Sequence, residues 1–379
     1  MRGEVIGLAV VGCGTVGRIR AVLAREHPAV DWIGLCDIDA DVAKSLGEDV
    51  EADLVTPDLD ELLGRPEVTA VIIATAENEH VTPILSAVEL GKPQRKPQRK
   101  LSLFIEKPLA TDPVDSASVL EAIEAAGIDA VMGYTQRFRR RFQTVKQRLR
   151  DGQIGEVTSV VTRAFMNRMV PDATLRKTSE RSNLTPMVVS GTHSLDMCMW
   201  LMEPREPVEV YARSIDTTLG EMGTKDATFG LFTMDDGVIW SMNISWALPT
   251  VWPGAVYGLE IGIVGTRGVI DIEDTHRDVV LATQIPQPAG YTSKGYEPDS
   301  QRYVDFLGSY PPGDVSDGLL WGPMREETMT WFNHLSNGIA TPHATARDGH
   351  RNLILTMAMD LSARTGRPVE LPIAPQALI

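Results

Sequence analysis

Three glycines near the start of the chain have the spacing of a phosphate-binding loop. An apolar run, residues 5–11, leads directly into Gly12-x-Gly14-x-x-Gly17, and a helical pattern follows. In such a loop the first glycine permits a tight turn, the second lets a pyrophosphate approach the backbone, and the third lets the helix lie close to the strand. The helix directs its amide hydrogens and the positive end of its dipole at the phosphates. We therefore predict a dinucleotide site formed by Gly12, Cys13, Gly14, Thr15, Val16 and Gly17.

An acidic residue after the second apolar run strengthens this prediction, because the glycine spacing alone also arises by chance. Asp37 lies twenty residues after Gly17, where an acid accepts hydrogen bonds from an adenosine ribose. The alternative is an ordinary turn or helix-capping aspartate. Ile38 and Asp39 follow without a neighbouring cation, and a carboxylate there repels a ribose 2′-phosphate. The sequence therefore favours NAD over NADP, with Asp37 and Ile38 at the adenosine.

Polar residues also follow the third and fourth predicted strands. Ala74 and Thr75 are small enough for a cofactor to lie across them, and His80 begins the next helix. Glu106-Lys107-Pro108 follows the fourth strand, and a lysine at the carboxyl end of a parallel strand faces the ligand crevice. From the pattern alone, the preferred interpretations are an exposed helix residue for His80 and a surface turn residue for Lys107.

A second polar pair lies in a helix that interrupts the later strands. His193 and Asp196 are three residues apart and therefore share a helix face. A histidine at the start of a helix can accept a proton near neutral pH. It can also be a structural residue that bonds to Asp196, and the spacing does not separate these interpretations.

The elements that must position these residues change in kind along the chain. Strand and helix patterns alternate in the first third, which predicts a parallel sheet covered on both faces. The predicted strands there are residues 5–11, 32–37, 70–74, 101–105 and 130–133. From about Tyr134 the pattern is mainly strands, which predicts an antiparallel or mixed sheet. We therefore predict a dinucleotide-binding domain over residues 1–133 and a second, α+β domain over residues 134–379.

The composition excludes several classes of function. The 379 residues carry a formal net charge of -15, which argues against a broad nucleic-acid surface. The three cysteines stand far apart without a C-x-x-C pair, which is typical of reduced intracellular thiols and argues against a zinc site. No stretch approaches the ~20 apolar residues of a membrane span. We expect a cytoplasmic protein with a small-molecule partner, and a solvated loop where Lys92-Pro93-Gln94-Arg95 is repeated as residues 96–99.

Together these motifs resemble the Gfo/Idh/MocA oxidoreductases, relatives of glucose–fructose oxidoreductase and inositol dehydrogenase. The resemblance extends from Val5 to about Pro372. Its most specific parts are Glu106-Lys107-Pro108 and Gly191-x-His193-x-x-Asp196, in this order behind the glycine loop. Further matching segments are Ala74-Thr75 with His80, Gly133-Tyr134-x-x-Arg137-Phe138, Gly152-x-Ile154-Gly155-Glu156, Asp348-Gly349 and Ser362-Ala363.

The resemblance implies a fold and a reaction. The implied fold is a Rossmann domain followed by an open, mainly antiparallel sheet, with the active site between them and the sheet forming a homodimer or homotetramer interface. The implied reaction is hydride transfer between NAD and a secondary alcohol or ketone of a sugar, a polyol such as inositol, or a glycoside. No metal is implied.

The resemblance also implies roles for single residues. Lys107 would bind the reacting oxygen and His193 would exchange its proton, because a cation stabilises an alkoxide and an imidazole titrates near neutrality. The implied substrate residues are Tyr134, Gln136, Arg137 and Asp196. The implied cofactor contacts beyond the glycine loop are Asp37, Ile38, Ala74, Thr75, His80, Glu106 and Lys107.

One position departs from the resemblance. Val189 stands four residues before His193, where many relatives carry an aspartate, so a carboxylate that assists proton transfer is missing. Either Lys107 and His193 suffice, or another acid such as Asp196 substitutes, or the substrate has changed to a non-sugar such as an aromatic dihydrodiol. A catalytically silent NAD-binding regulator is the remaining alternative.

Overall fold

The computed structural model describes residues 4–92, 101–175, 183–273, 279–287, 302–307 and 313–379. Residues 93–100, which include the repeated cationic segment except for Lys92, lie outside this description. The chain divides into two compact units, Met1–Thr135 with Met324–Leu353 and Gln136–Pro323 with Ile354–Ile379. The sequence predicted a single boundary after residue 133. The later segment joins the first unit because Trp331 and Phe332 are buried in its core.

The helices and strands are defined as follows within the described residues. The strands are β1 (Ile6–Val11), β2 (Val30–Cys36), β3 (Leu54–Thr56), β4 (Ala70–Ile73), β5 (Ser102–Ile105), β6 (Asp129–Met132), β7 (Val157–Asn167), β8 (Pro207–Ile215), β9 (Ala227–Met234), β10 (Ile239–Leu248), β11 (Val256–Gly265), β12 (Gly268–Glu273), β13 (Val279–Gln287), β14 (Arg302–Leu307), β15 (Asp314–Ser316), β16 (Leu319–Trp321), β17 (Ala344–Thr345) and β18 (Val369–Glu370). The helices are α1 (Thr15–Glu26), α2 (Ala40–Val50), α3 (Leu59–Gly64), α4 (Val81–Gly91), α5 (Pro113–Ala126), α6 (Arg140–Arg150), α7 (Met169–Leu175), α8 (Thr192–Met202), α9 (Pro323–Asn337) and α10 (Ala346–Thr365).

The first unit is built on a sheet with the order β17-β6-β5-β4-β1-β2-β3. Strands β1 to β6 pair in parallel, and only β17 pairs antiparallel within this sheet. Every residue of β1, β4 and β5 is buried, as expected for parallel strands covered on both faces. The parallel Rossmann sheet predicted from the sequence is confirmed. The strand order reverses at β1, since β2 lies on one side of it and β4 on the other. Ligands bind beyond the carboxyl ends of the strands at such a point.

Helix α5 shows how local sequence sets the ends of an element in this unit. The Asp112 carboxylate accepts from the backbone amides of Val114 and Asp115, and Pro113 occupies the first turn. The helix ends at Gly127, whose φ of 64° is left-handed. This arrangement combines an aspartate cap, an early proline and a terminal glycine.

The second unit is built on a seven-stranded sheet with the order β12-β11-β7-β10-β9-β8-β18. Its pairs are antiparallel except for β10 with β7, so the mainly antiparallel sheet is confirmed. The inner face buries Trp240 and Phe232, whose rings stack 4.8 Å apart. Helix α8 covers this face, since Cys198 Sγ lies 3.6 Å from the Thr162 hydroxyl of β7. Helix α8 therefore packs on the inner face of this sheet.

No helix among the described residues has both the length and the apolar character to cross a bilayer. The same residues contain no cluster of three or more His, Cys, Asp or Glu side chains placed to hold a metal ion.

Candidate active site

The glycine loop has the shape of a phosphate cradle. Gly12 adopts a φ of 93°, and a Cβ built there would lie 2.5 Å from the Ala74 carbonyl oxygen. A Cβ on Gly17 would lie 1.8 Å from the Gly12 oxygen. A Cβ on Gly14 would meet nothing within 4 Å, so the space beside this residue is open. Gly12 and Gly17 are therefore required for folding, whereas Gly14 borders a space that a pyrophosphate fits.

Helix α1 presents its first turn to this space. It begins directly after Gly14, and no side chain caps it. The first amide hydrogens of a helix lack partners within the helix and attract anions. Thr15 is exposed and Val16 is partly exposed, so the turn is accessible. The loop residues present therefore fit a dinucleotide phosphate.

Asp37 is fixed at the same loop. Its Oδ2 accepts from the Cys13 amide at 2.7 Å, and its Oδ1 accepts from the Asp39 amide at 2.9 Å. The capping role considered for Asp37 belongs to Asp39, which accepts from two amides of α2. Ile38 is 96% exposed and offers an apolar surface beside the carboxylate. Burial raises the pKa of Cys13 to about 12, so this residue contributes its backbone and keeps a neutral thiol.

The segment after β4 is tied to the segment after β5 by His80. Its Nδ1 lies 2.7 Å from the Pro108 carbonyl oxygen, and its Nε2 lies 3.3 Å from the Thr75 oxygen. His80 is 1% exposed, so its interpretation as an exposed helix residue is wrong. Burial lowers the pKa of His80, and a neutral imidazole has one N–H, which the shorter distance assigns to Pro108. Ala74 and Thr75 are partly exposed, and the cofactor contacts of all three residues stay predictions.

Lys107 is the single accessible side chain of its segment. Residues 101–110 are all buried except Lys107, which is partly exposed. Its neighbour Glu106 is 9% exposed and directs its carboxylate inward. Glu106 Oε1 accepts from Arg20 Nε at 2.9 Å and from Arg20 Nη2 at 2.7 Å. The segment therefore places an anchored carboxylate next to a partly exposed lysine.

His193 stands out in the same way within the second unit. Residues 186–202 are all buried except His193. It follows a π-helical turn, Met187–Gly191, which leads into α8. Such turns are frequent at functional sites. The turn is held by Trp246, whose Nε1 donates to Ser190 Oγ at 2.8 Å. The helix predicted around His193 is confirmed, and His193 is the one partly exposed residue of the segment, although its Nδ1 is buried.

Two residues predicted to hold substrate form a buried ion pair with each other. Arg137 Nε donates to Asp196 Oδ2 and Arg137 Nη2 donates to Asp196 Oδ1, both at 2.7 Å. The two side chains are 3% and 1% exposed, and the guanidinium lies 5.7 Å from the Trp200 ring. The pair ties the turn Thr135–Phe138 to α8. This geometry favours a positioning role for Asp196, whose predicted substrate contact stays untested.

Tyr134 and Gln136, the other two residues predicted to hold substrate, lie in different environments. Tyr134 is buried in the core of the first unit. Gln136 is 7% exposed, and its amide Oε1 has no hydrogen-bond partner within the described part of the chain. A buried amide oxygen without a partner carries a free-energy penalty. The predicted substrate contact of Gln136 stays a prediction.

Val189 lies in an apolar cluster of the second unit. It is 4% exposed and packs with Leu175, Leu184, Leu219 and Trp246. The aspartate of many relatives is therefore replaced by a residue that completes a hydrophobic cluster.

Sequence reasoning missed a cluster that surrounds Arg20. Arg20 and Glu327 are both fully buried and joined at 2.5 Å, and Glu106 is the third member. The three residues are 86 and more positions apart, so no local pattern could have indicated them.

Comparison with known proteins identifies the family of the chain. Residues 6–134 match the model for an oxidoreductase family with an NAD-binding Rossmann fold. Residues 142–271 match the model for the GFO/IDH/MocA C-terminal domain, and together the matches span more than half of the chain. The chain belongs to the Gfo/Idh/MocA oxidoreductase family.

Members of this family with known names or structures are similar along most of the chain. An inositol 2-dehydrogenase of Acidothermus cellulolyticus is 26% identical over 84% of this chain and 87% of its own length. The structure of GenD2 from gentamicin A biosynthesis, in complex with NAD, has a TM-score of 0.77 at 20% identity and covers 98% of both chains. A scyllo-inositol dehydrogenase from Lactobacillus casei with NAD(H) and scyllo-inositol has a TM-score of 0.71 at 19% identity, covering 97% of this chain and 99% of the other.

Proposed function

We propose that the protein is an NAD-dependent dehydrogenase that transfers a hydride between the nicotinamide and a secondary alcohol or ketone of a sugar, a polyol such as inositol, or a glycoside. The observation that carries the proposal is the burial pattern of two segments. Each is buried throughout except for one side chain, Lys107 in residues 101–110 and His193 in residues 186–202. A lysine amine can stabilise the negative charge that develops on the reacting oxygen, and an imidazole can take the hydroxyl proton. The inositol dehydrogenases among the relatives support the substrate class.

The residues proposed to hold NAD lie in the first unit. The open space beside Gly14 and the first turn of α1 fit the pyrophosphate. The Asp37 carboxylate fits the hydroxyls of the adenosine ribose, and Ile38 fits the adenine. NADP is disfavoured because Asp37 would repel a 2′-phosphate at close range.

The proposed mechanism assigns one step to each accessible group. Bound NAD supplies the hydride acceptor, and the protein aligns the alcohol with it. Lys107 donates a hydrogen bond to the reacting oxygen and stabilises its negative charge. His193 takes the hydroxyl proton as the carbon loses its hydride, so a ketone and a protonated imidazole result. In reduction His193 returns this proton to the same oxygen.

Two structural features of the second unit support this assignment. The Arg137–Asp196 pair fixes α8, one turn beyond His193, and so sets the direction of the imidazole. The Oε1 of Gln136 is buried without a partner among the described residues, and we propose that it accepts from a second hydroxyl group of the substrate after local rearrangement. A polyol carries such a hydroxyl, which favours a polyol over a simple alcohol.

We further propose that the protein is a cytoplasmic homo-oligomer. The outer face of the second sheet exposes Phe229, Leu231 and Ile239 by 44–49%, and Phe165 stacks on Phe229 at 5.8 Å. Contiguous apolar surface of this kind marks an association site. The three cysteines are buried and unpaired, which supports a reducing compartment.

A substrate panel tests the proposed function. The protein is mixed with NAD and, one at a time, inositols, aldoses, glycosides and an aromatic dihydrodiol, and NADH formation is followed by absorbance. We expect reduction of NAD with at least one polyol or sugar and none with simple secondary alcohols such as 2-propanol. Reduction with the dihydrodiol alone would replace the proposed substrate class. Binding of NAD without reduction by any compound would support the silent regulator that Val189 leaves open.

A further inference from the structure

A buried cluster of charges lies behind the segment that carries Lys107. Arg20 is on α1, three residues beyond Gly17, and is fully buried. Its Nε and Nη2 donate to Glu106, and its Nη2 also donates to Glu327 at 2.5 Å. Its Nη1 donates to Thr328 Oγ1 at 2.5 Å and to the Met324 carbonyl at 3.3 Å. All five N–H directions of this guanidinium therefore have acceptors.

The cluster joins the ends of several elements of the first unit. The guanidinium of Arg20 lies 4.3 Å from the Phe104 ring of β5. Thr135, which follows β6, donates from its hydroxyl to Glu327 at 3.0 Å. A Cβ on Gly133 would come within 2.6 Å of Glu106 Oε2, so a glycine is needed where the carboxylate lies. Glu106 is thus enclosed by its own strand, the neighbouring strand and α1.

One guanidinium faces two carboxylates in the cluster. Burial raises the pKa of Glu327 to about 7, so Glu106 is the carboxylate that depends most on the charge of Arg20. Within the described residues, the ion pairs of Glu106 and Glu327 are both with Arg20. Without Arg20, Glu106 would be an uncompensated carboxylate in the interior. The neighbouring cation along the chain is Lys107.

We propose that Arg20 is a positioning residue for Lys107: it holds the Glu106 carboxylate in the interior, so that the Lys107 amine serves the substrate and not its neighbour. The inference rests on the proposed function, since it takes Lys107 as the group that contacts the reacting oxygen. Successive residues at the end of a strand point to opposite sides, and here one is anchored inward while the next is accessible. Loss of the anchor lets Glu106 turn toward Lys107 and form an ion pair with it.

Substitution of Arg20 tests this role through turnover. Arg20→Met should lower kcat about 100-fold, the scale of a misplaced catalytic group. Glu106→Gln alone should lower kcat only about threefold, because the amide oxygen still accepts from Arg20 and carries no charge. The double variant Arg20→Met/Glu106→Gln should be at least ~10-fold more active than Arg20→Met, because the carboxylate that captures Lys107 is gone. A purely structural role for Arg20 also allows recovery in the double variant, because Glu106→Gln removes the unpaired buried charge. The labelling of Lys107 therefore separates the two roles.

A second readout does not depend on turnover. Lys107 is labelled with acetic anhydride at fixed pH, and its modification is measured by mass spectrometry relative to the exposed Lys44. Ion pairing with Glu106 should slow labelling of Lys107 about fivefold in Arg20→Met, and the double variant should restore it. Arg25→Met is the matched control, since Arg25 lies on the same helix but donates to the carbonyls of Val50 and Glu51. It should change neither kcat nor labelling.

The outcomes separate this inference from the proposed function. If the wild-type protein reduces NAD with no substrate, the proposed function fails, and the labelling comparison still decides on Arg20. Unchanged labelling of Lys107 in Arg20→Met, with normal NAD affinity, would overturn the positioning role. If Arg20→Met does not fold, Arg20→Lys serves in its place with an expected loss of about tenfold in kcat and the same recovery by Glu106→Gln. A loss that Glu106→Gln deepens would contradict the inference.

Discussion

The substitution Gly14→Ala separates binding of NAD from folding. Gly14 has a φ of -65°, which alanine adopts without strain. A Cβ there meets nothing within 4 Å. The unfolding free energy should therefore stay the same or rise by about 0.5 kcal/mol, because alanine restricts the unfolded chain. The added methyl group occupies the space proposed for the pyrophosphate, so its effect should fall on the cofactor.

The loss of affinity can be worked from the contacts at the helix start. Displacing the pyrophosphate by the radius of a methyl group weakens at least one charge-assisted hydrogen bond to the first turn of α1, worth about 1.5–3 kcal/mol. The Kd for NAD should therefore rise about 10–150-fold. Calorimetric titration with NAD and a urea unfolding curve measure the two quantities on one preparation.

Gly17→Ala is the matched control for this substitution. Its Cβ would overlap the Gly12 carbonyl oxygen at 1.8 Å, so it should lower the unfolding free energy by about 1–3 kcal/mol or more. If Gly14→Ala binds NAD as the wild type does, the loop does not hold the pyrophosphate. If Gly14→Ala unfolds as easily as Gly17→Ala, the open space beside Gly14 has been misjudged.

Three further predictions follow from the remaining charges. Arg137→Met should lower the unfolding free energy by about 3–5 kcal/mol, because Asp196 stays buried without its partner; a loss below about 1 kcal/mol in urea unfolding would contradict the buried pair. Asp37→Ala with Ile38→Arg should lower the ratio of the Kd for NADP to that for NAD at least ~10-fold, since the repelling carboxylate is replaced by a cation; an unchanged ratio would show that Asp37 does not face the ribose. Burial raises the pKa of Asp360 to about 7 in the folded protein, above the ordinary aspartate value near 4. The stability that the protonated Asp360 contributes is therefore fully present below pH 4 and is lost as the pH rises toward 7. The unfolding free energy of the wild type, compared with Asp360→Asn, should therefore fall by at least ~1 kcal/mol between pH 4 and pH 8; a rise would reverse the sign of the argument.

The Rossmann sheet and the glycine loop could be predicted because their signals are local. An apolar strand, three glycines and an acid at a fixed distance lie within 37 residues, and each has its own physical requirement. These local signals were enough to predict the tight turn at Gly12, the close helix packing at Gly17 and the position of Asp37 beside the loop. The segment around residues 324–353 could not be assigned, because its periodicity predicts a helix and does not say on which sheet Trp331 packs.

The hydrogen-bond and ion-pair partners of the site residues could not be predicted from the sequence, because these partners are distant along the chain. Two charges far apart in sequence, such as Arg137 and Asp196, each match a role in substrate binding, and only the fold shows that they bond to each other. His80 looked like an exposed helix residue because the carbonyl it contacts, that of Pro108, is 28 residues away. Patterns along the chain predict which face of a helix or strand a residue occupies, but they do not predict which residue of another element it contacts.

The most direct test of the account compares Lys107→Met and His193→Gln with the wild type on a substrate that the panel identifies. Lys107 and His193 are proposed to act on one hydroxyl group, so each substitution should lower kcat by at least ~1,000-fold while the Kd for NAD stays within about threefold. Turnover at the wild-type rate in either variant, with NAD still bound, would contradict the assignment of that residue to the reacting oxygen.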